Sequence, residues 1–225
     1  MTDAHCHVTG GDPSVREFLI GRDFIGVHPW DARDQGWGMR DEASFRERLI
    51  SDSCLGVGEI GLDRLREKDI SSAAREVFER QLKIAIEFHR PVVLHGAKCW
   101  GQVVSTIRRL IPHPSSLLPP PSSLIPSFLF HGFSRSDGLM PDIVALNGFI
   151  SVGPAVLNDH AVNYRELVKK IPLDRLLLET DRTVENAADC PSVRDVAAAV
   201  ATYRNMSFAE LEKLTDENAE RFRCR

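Results

Sequence analysis

Residues 71–95 read SSAAREVFERQLKIAIEFHRPVVLH. Over residues 71–89, Phe78, Leu82, Ala85 and Ile86 recur at helical spacing, and Pro91 ends the helix. The next segment, PVVLH, is a short unbroken apolar run closing on an imidazole, His95. An unbroken run, unlike an alternating one, belongs to a strand covered on both faces, as in a parallel sheet. A helix that delivers the chain to such a strand is half of a βαβ unit.

The unit repeats. Strands are expected at residues 2–7, 23–28, 55–60, 91–95, 128–131, 148–152 and 175–180. Further helices are expected at 42–51, 102–110, 137–146, 158–170, 192–205 and 207–223. Alternation of this kind means right-handed crossovers, hence an α/β barrel or a doubly wound sheet. With 225 residues, 43% of them hydrophobic, the chain suits a single domain spanning 1–225. One segment breaks the rhythm: residues 112–127 read PHPSSLLPPPSSLIPS. Its prolines forbid a regular helix or central strand, so it is expected as a flexible surface insertion.

Five of the apolar runs end in a polar residue able to bind metal. TDAHCH carries His5 and His7, GEIGLD places Glu59 at a strand end, and PVVLH ends in His95. FLFH ends in His131, and LLLETD ends in Asp181. A buried strand has no reason to end repeatedly in imidazole or carboxylate, whereas a parallel barrel gathers its active site at those ends. His5 and His7 stand two apart on a strand and so share a face. Alone, an HxH pair is more commonly solvated or structural; the joint pattern carries the inference. Four imidazoles and two carboxylates suit one or two divalent cations. Cys6, between the two histidines, points to the opposite face and reads as core rather than nucleophile.

Composition narrows the classes. The net charge is -4, so a general polyanion binder is disfavoured, and contact with nucleic acid must rest on a local patch or on bound metal. Five scattered cysteines form no CxxC pair and no disulfide framework, which points to a reducing compartment. The opening MTDAHCHVTG has no basic or apolar leader region, and no run approaches the roughly 18 apolar residues of a membrane span. A cytoplasmic protein with no membrane contact is expected. Gly56, Gly58 and Gly61 form a GxGxxG string, but Glu59 interrupts it and no dinucleotide site is inferred. Trp30 and Trp100 come just after strand ends and could stack bases; with Trp37, they are more simply packing residues under loops.

In chain order, DAHCH, GVHPW, GEIGLD, PVVLH, FHGFS and ETD resemble the TatD-type metal-dependent deoxyribonucleases, which are amidohydrolase-like barrels. FERQLKIAIEFHRP and LTDENAERF fit the same family, and the resemblance runs over residues 3–222 apart from the Pro/Ser insertion. It implies a TIM-type (β/α) barrel and two divalent ions per chain, Mg, Mn or Zn. His5 and His7 match ligands of one ion, Glu59 the bridging carboxylate, and His95 and His131 ligands of the other. Asp181 matches the aspartate that holds the first ion and takes a proton from the attacking water, and His28 a histidine touching phosphate. Asp181 and Glu59 are the implied catalytic residues, and the implied substrate is DNA, single-stranded or cut from an end, acted on by a monomer.

The chain departs from the family pattern in four places. About twenty residues separate the HxH strand from GVHPW, where the family fits a whole strand–helix unit, so the barrel is expected to be shortened or distorted around its second strand. HGAKCW lacks an arginine, for which Lys98 is the stand-in phosphate contact. FHGFSRS offers Arg135 as another, and ETDRT lacks a proline. These loop changes leave open a related hydrolase of an ester, amide or aminoacyl-tRNA bond, or a non-catalytic metal-binding homologue.

Overall fold

The computed structural model describes residues 1–32, 37–51, 53–66, 68–111 and 125–224. All but residues 125–127 of the expected Pro/Ser insertion lie outside these. The strands are β1 (Thr2–Cys6), β2 (Arg16–Leu19), β3 (Phe24–Ile25), β4 (Gly56–Asp63), β5 (Val92–Ala97), β6 (Phe128–Phe130), β7 (Gly148–Val152) and β8 (Leu176–Leu178). The helices are α1 (Met39–Leu49), α2 (Ser72–Glu87), α3 (Trp100–Leu110), α4 (Met140–Ala145), α5 (Val162–Lys170), α6 (Val193–Arg204) and α7 (Phe208–Arg223). Serine caps start three of them: Ser71, Ser192 and Ser207 each accept a backbone N–H of the first turn.

Strands β3 to β8 pair in parallel in chain order, and β1 pairs in parallel with β2. A parallel bridge between Ile20 and Phe24 links the second strand to the third. At the other seam, Asp181 donates its N–H to the His5 carbonyl (3.0 Å) and His7 donates to the Arg182 carbonyl (2.8 Å). The order thus runs from β1 to β8 and back to β1, that of a TIM-type (β/α) barrel.

The distortion around the second strand takes a definite form. The strand is present, but no helix comes after β1 or β2. Residues 7–15 and 20–23 make connections that elsewhere need a crossover of a dozen residues or more. REFL escapes pattern reading because it is four residues long and begins with two charges.

Two apolar layers result. The outward residues of the strands, among them Val57, Val92, Leu94, Phe128, Ile150 and Leu176, pack under the helices. The inward ones (Ala4, Phe18, Phe24, Val93, Leu129, Phe149 and Leu177) form a separate core that Phe222 of α7 joins. Phe222 stacks on Phe24 at 5.7 Å and meets Phe149 at 5.9 Å. Among the described residues, no helix is long and apolar enough to cross a membrane.

Candidate metal centre

Inward side chains alternate along a strand, so the residue two beyond each inner-core residue points to the same interior. Two beyond Val93 is His95, two beyond Leu129 is His131, and two beyond Leu177 is Glu179. One layer of apolar side chains therefore carries a polar layer on top of it, at the C-terminal ends of the strands.

Strands β1 and β4 reach that layer by another device. Asp3 and Cys6 pair with Glu17 and Leu19, three residues against two, and Val57 and Ile60 pair with Val92 and Leu94, again three against two. Each offset is a β-bulge, which flips the alternation in the rest of the strand. In β1 it turns His5 and His7 inward and leaves Cys6 outward, its thiol pushed up by burial. In β4 it turns Glu59 inward. Glu59 is not at a strand end, as GEIGLD suggested: it is the fourth residue of eight, and the strand runs on to Asp63. Gly61 makes the close pairing possible, since a Cβ there would stand 2.0 Å from the His95 carbonyl oxygen.

The six expected ligands converge. His5 Nε2 lies 3.6 Å from Glu59 Oε2 and 3.4 Å from Asp181 Oδ1; His7 Nε2 lies 3.5 and 3.7 Å from the same two oxygens. Two atoms each about 2.1 Å from one ion stand about 3.4 Å apart at a tetrahedral angle, so these donors are spaced to share a cation. His5 supports the same fit: it is fully buried, and neither ring nitrogen has a hydrogen-bond partner among the described residues. The other oxygen of Glu59, Oε1, faces His95 Nδ1 at 2.6 Å and His131 Nε2 at 2.9 Å. This second set is drawn tighter, as hydrogen-bonded pairs are.

Burial alone would raise the pKa of Glu59, but the imidazoles of His131 and His5 outweigh it and hold the carboxyl well below its ordinary range. Asp181 behaves likewise, burial being outweighed by His5 and His131. Its backbone takes the left-handed conformation (φ 49°), one that aspartate tolerates.

Three further carboxylates support the ligands, and pattern reading assigns none of them a role. Asp63 accepts from His95 Nε2 at 3.0 Å, which leaves Nδ1 facing Glu59. Glu179 accepts from the Ser151 hydroxyl (2.6 Å) and the Gly132 N–H (2.8 Å), and its Oε2 stands 3.5 Å from His131 Nδ1. Asp3 accepts from the Thr180 N–H and hydroxyl, binding β8 to β1 beside the centre; burial pushes its pKa up to about 7. All three lie within sequence motifs, Asp3 in DAHCH, Asp63 in GEIGLD and Glu179 in ETD, but only the register of the strands reveals their aim.

The expected substrate contacts divide. His28 is drawn into the cluster, its Nε2 3.7 Å from Glu59 Oε1. Its Nδ1 accepts the Trp30 backbone N–H at 3.2 Å, and burial lowers its pKa to about 4. A neutral ring whose Nδ1 accepts carries its proton on Nε2, and His28 also lies close enough to Glu59 and His95 for the three to share a cation. Arg135 lines a cleft of about 980 Å³ that Asp181 and Glu179 also border. Lys98 is exposed and lines none of that cleft. Trp100 and Trp37 are buried packing residues, whereas Trp30 is 40% exposed.

The family model for TatD-related DNases matches residues 21–223. The chain belongs to this family. It is 30% identical over 204 residues to YabD of Bacillus subtilis, described as an uncharacterized metal-dependent hydrolase, covering 88% of this chain and 75% of that one. It is 27% identical over 206 residues to the 3'-5' ssDNA/RNA exonuclease TatD of Edwardsiella piscicida, covering 86% and 74%. The crystal structure of the TatD homologue YJJV from Escherichia coli superposes with a TM-score of 0.78 at 20% identity, over 99% of this chain and 97% of that one. The fold is therefore that of the TatD barrels, and the chain is a metal-dependent hydrolase of the family.

Proposed function

We propose that this TatD-family hydrolase cleaves phosphodiester bonds of DNA, in single strands or from ends, using two divalent cations, Mg, Mn or Zn. The observation that carries the proposal is the convergence of four imidazoles on Glu59 and Asp181 beside an open polar cleft. His5, His7 and Asp181 are close enough together to share a cation and would hold one ion; His95 and His131, which both face Glu59 Oε1, would hold the other, with Glu59 shared between them. Ions held there supply a water acidified toward neutral pH and charge to offset the phosphoryl oxygens.

The chain's own groups do the rest. Asp181, ionised and half-exposed, accepts the proton of the water whose oxygen attacks phosphorus. The P–O bond to the leaving oxygen breaks, and that oxygen takes a proton from solvent. His28 Nε2–H donates to a phosphoryl oxygen, and Arg135 faces the phosphate chain along the cleft.

The test is hydrolysis by the full chain loaded with Mg or Mn. Single-stranded DNA, duplex DNA, simple esters and an aminoacyl-tRNA are offered in parallel. Cleavage of single-stranded DNA that is lost in Glu59→Ala is expected. If no oligonucleotide is degraded and Glu59→Ala behaves as the parent does, the nuclease function fails. Hydrolysis of esters or aminoacyl-tRNA alone moves the activity to that bond. No hydrolysis, with less than one ion per chain, leaves a non-catalytic homologue.

A further inference from the structure

We infer that Trp30, with the Arg66 guanidinium stacked on it, is the platform for an unpaired nucleobase beside the scissile phosphate. The inference rests on the nuclease function proposed above and extends it to what is recognised.

Among the three tryptophans, only Trp30 keeps a large exposed surface, 40%, and it stands against the centre itself. Its ring centroid lies 4.6 Å from that of His28 and 6.2 Å from that of His95. The indole N–H donates to Asp63 Oδ2 at 2.7 Å, the oxygen that also binds His95 Nε2. The other oxygen, Oδ1, accepts the N–H groups of Leu65 (2.6 Å) and Arg66 (3.1 Å), which fixes the loop that carries Arg66. Arg66 Cζ then sits 3.7 Å from the Trp30 ring centroid.

One buried carboxylate thus orients a proposed ligand, an indole and a guanidinium together. The only polar atom of the indole is committed to Asp63, so the surface left to a ligand is the apolar ring and the stacked guanidinium. Such planes bind bases, because every base has a π face and a two-torsion side chain loses little entropy. Bases inside a duplex have both faces covered by their neighbours, so the platform selects single strands and ends. Asp63 also ties the platform to His95, so a base stacked on Trp30 holds its own phosphate against the centre.

Trp37 and Trp100 are buried away from a stacking ligand, so the part of the fluorescence change that Trp30→Phe abolishes reports on Trp30. The full chain in EDTA is titrated with a thymidine oligomer and with an abasic chain of equal length. Cleavage of both is then measured in Mg. Expected are quenching by the thymidine oligomer but not by the abasic chain, and a kcat/KM preference for the thymidine oligomer of about tenfold or more. In Trp30→Ala the preference falls toward one; in Trp30→Phe, which keeps a ring but loses the N–H, most of it survives. A parent without base-dependent quenching or preference overturns the platform, whether or not it cleaves DNA. So does a Trp30→Ala enzyme that discriminates as the parent does, or a Trp30→Phe enzyme that has lost as much as Trp30→Ala, since the effect then runs through the Asp63 tether. Base-dependent quenching without any cleavage keeps the platform and removes the nuclease function.

Discussion

Asp181 and Asp63 are both carboxylates beside the centre, yet substitution of each has a different consequence. Asp181 reaches the same space as His5 Nε2, 3.4 Å away, and keeps about half its side chain open to the cleft. Asp181→Asn retains the hydrogen-bonding shape and loses the basic oxygen. The variant is expected to fold, melting within a few degrees of the parent, and to lose turnover. Full activity with full metal content would remove the proton-accepting role. Asp63 touches no proposed ion; it fixes which nitrogen of His95 faces Glu59. Asp63→Asn should weaken metal affinity about 10–100-fold without changing the number of sites, read by competition against a fluorescent chelator. An unchanged affinity would mean that His95 is oriented by packing alone.

At the scale of elements, the same physics explains what can be read from the sequence and what cannot. Runs such as PVVLH, FLFH and LLLETD announce both the strand and the residue it delivers, because alternation in an undistorted strand sends every second side chain inward. The bulges in β1 and β4 are invisible to that reading. They depend on pairing with β2 and β5, which no local pattern encodes, and so Glu59 reads as a strand end. The second strand is hidden for a related reason: its buried half is only Phe18 and Leu19. Asp63 and Glu179 stand in plain view within motifs, but their partners come from other strands. The bulge in β4 makes a direct prediction. Gly61 has φ 151° and no room for a methyl group against the His95 carbonyl. Gly61→Ala should destabilise the fold by on the order of 3 kcal/mol or more and lower the denaturant midpoint accordingly. A midpoint equal to the parent's would show that β4 and β5 can part without cost.

Across the whole molecule, the barrel dispenses with two crossover helices and still brings donors from β1, β4, β5 and the ends of β6 and β8 to one point. The seam between β8 and β1 is where this economy is most exposed, since Asp3, Thr180 and Asp181 hold it together at the centre itself. Ions bound there should therefore stabilise the entire fold. At a metal concentration about 100 times the dissociation constant, one site contributes about 2.7 kcal/mol, worth roughly 5–10 °C in melting temperature for a chain of this size. Chelation by EDTA should lower the melting temperature by that amount, and added Mn should restore it; a melting curve indifferent to both would separate the centre from the fold. The most direct measurement is anomalous scattering from a crystal soaked in Mn. Two peaks are predicted, one among His5, His7 and Asp181 and the other between His95 and His131, with Glu59 touching both. A single peak, or none at saturating metal, would contradict a binuclear centre.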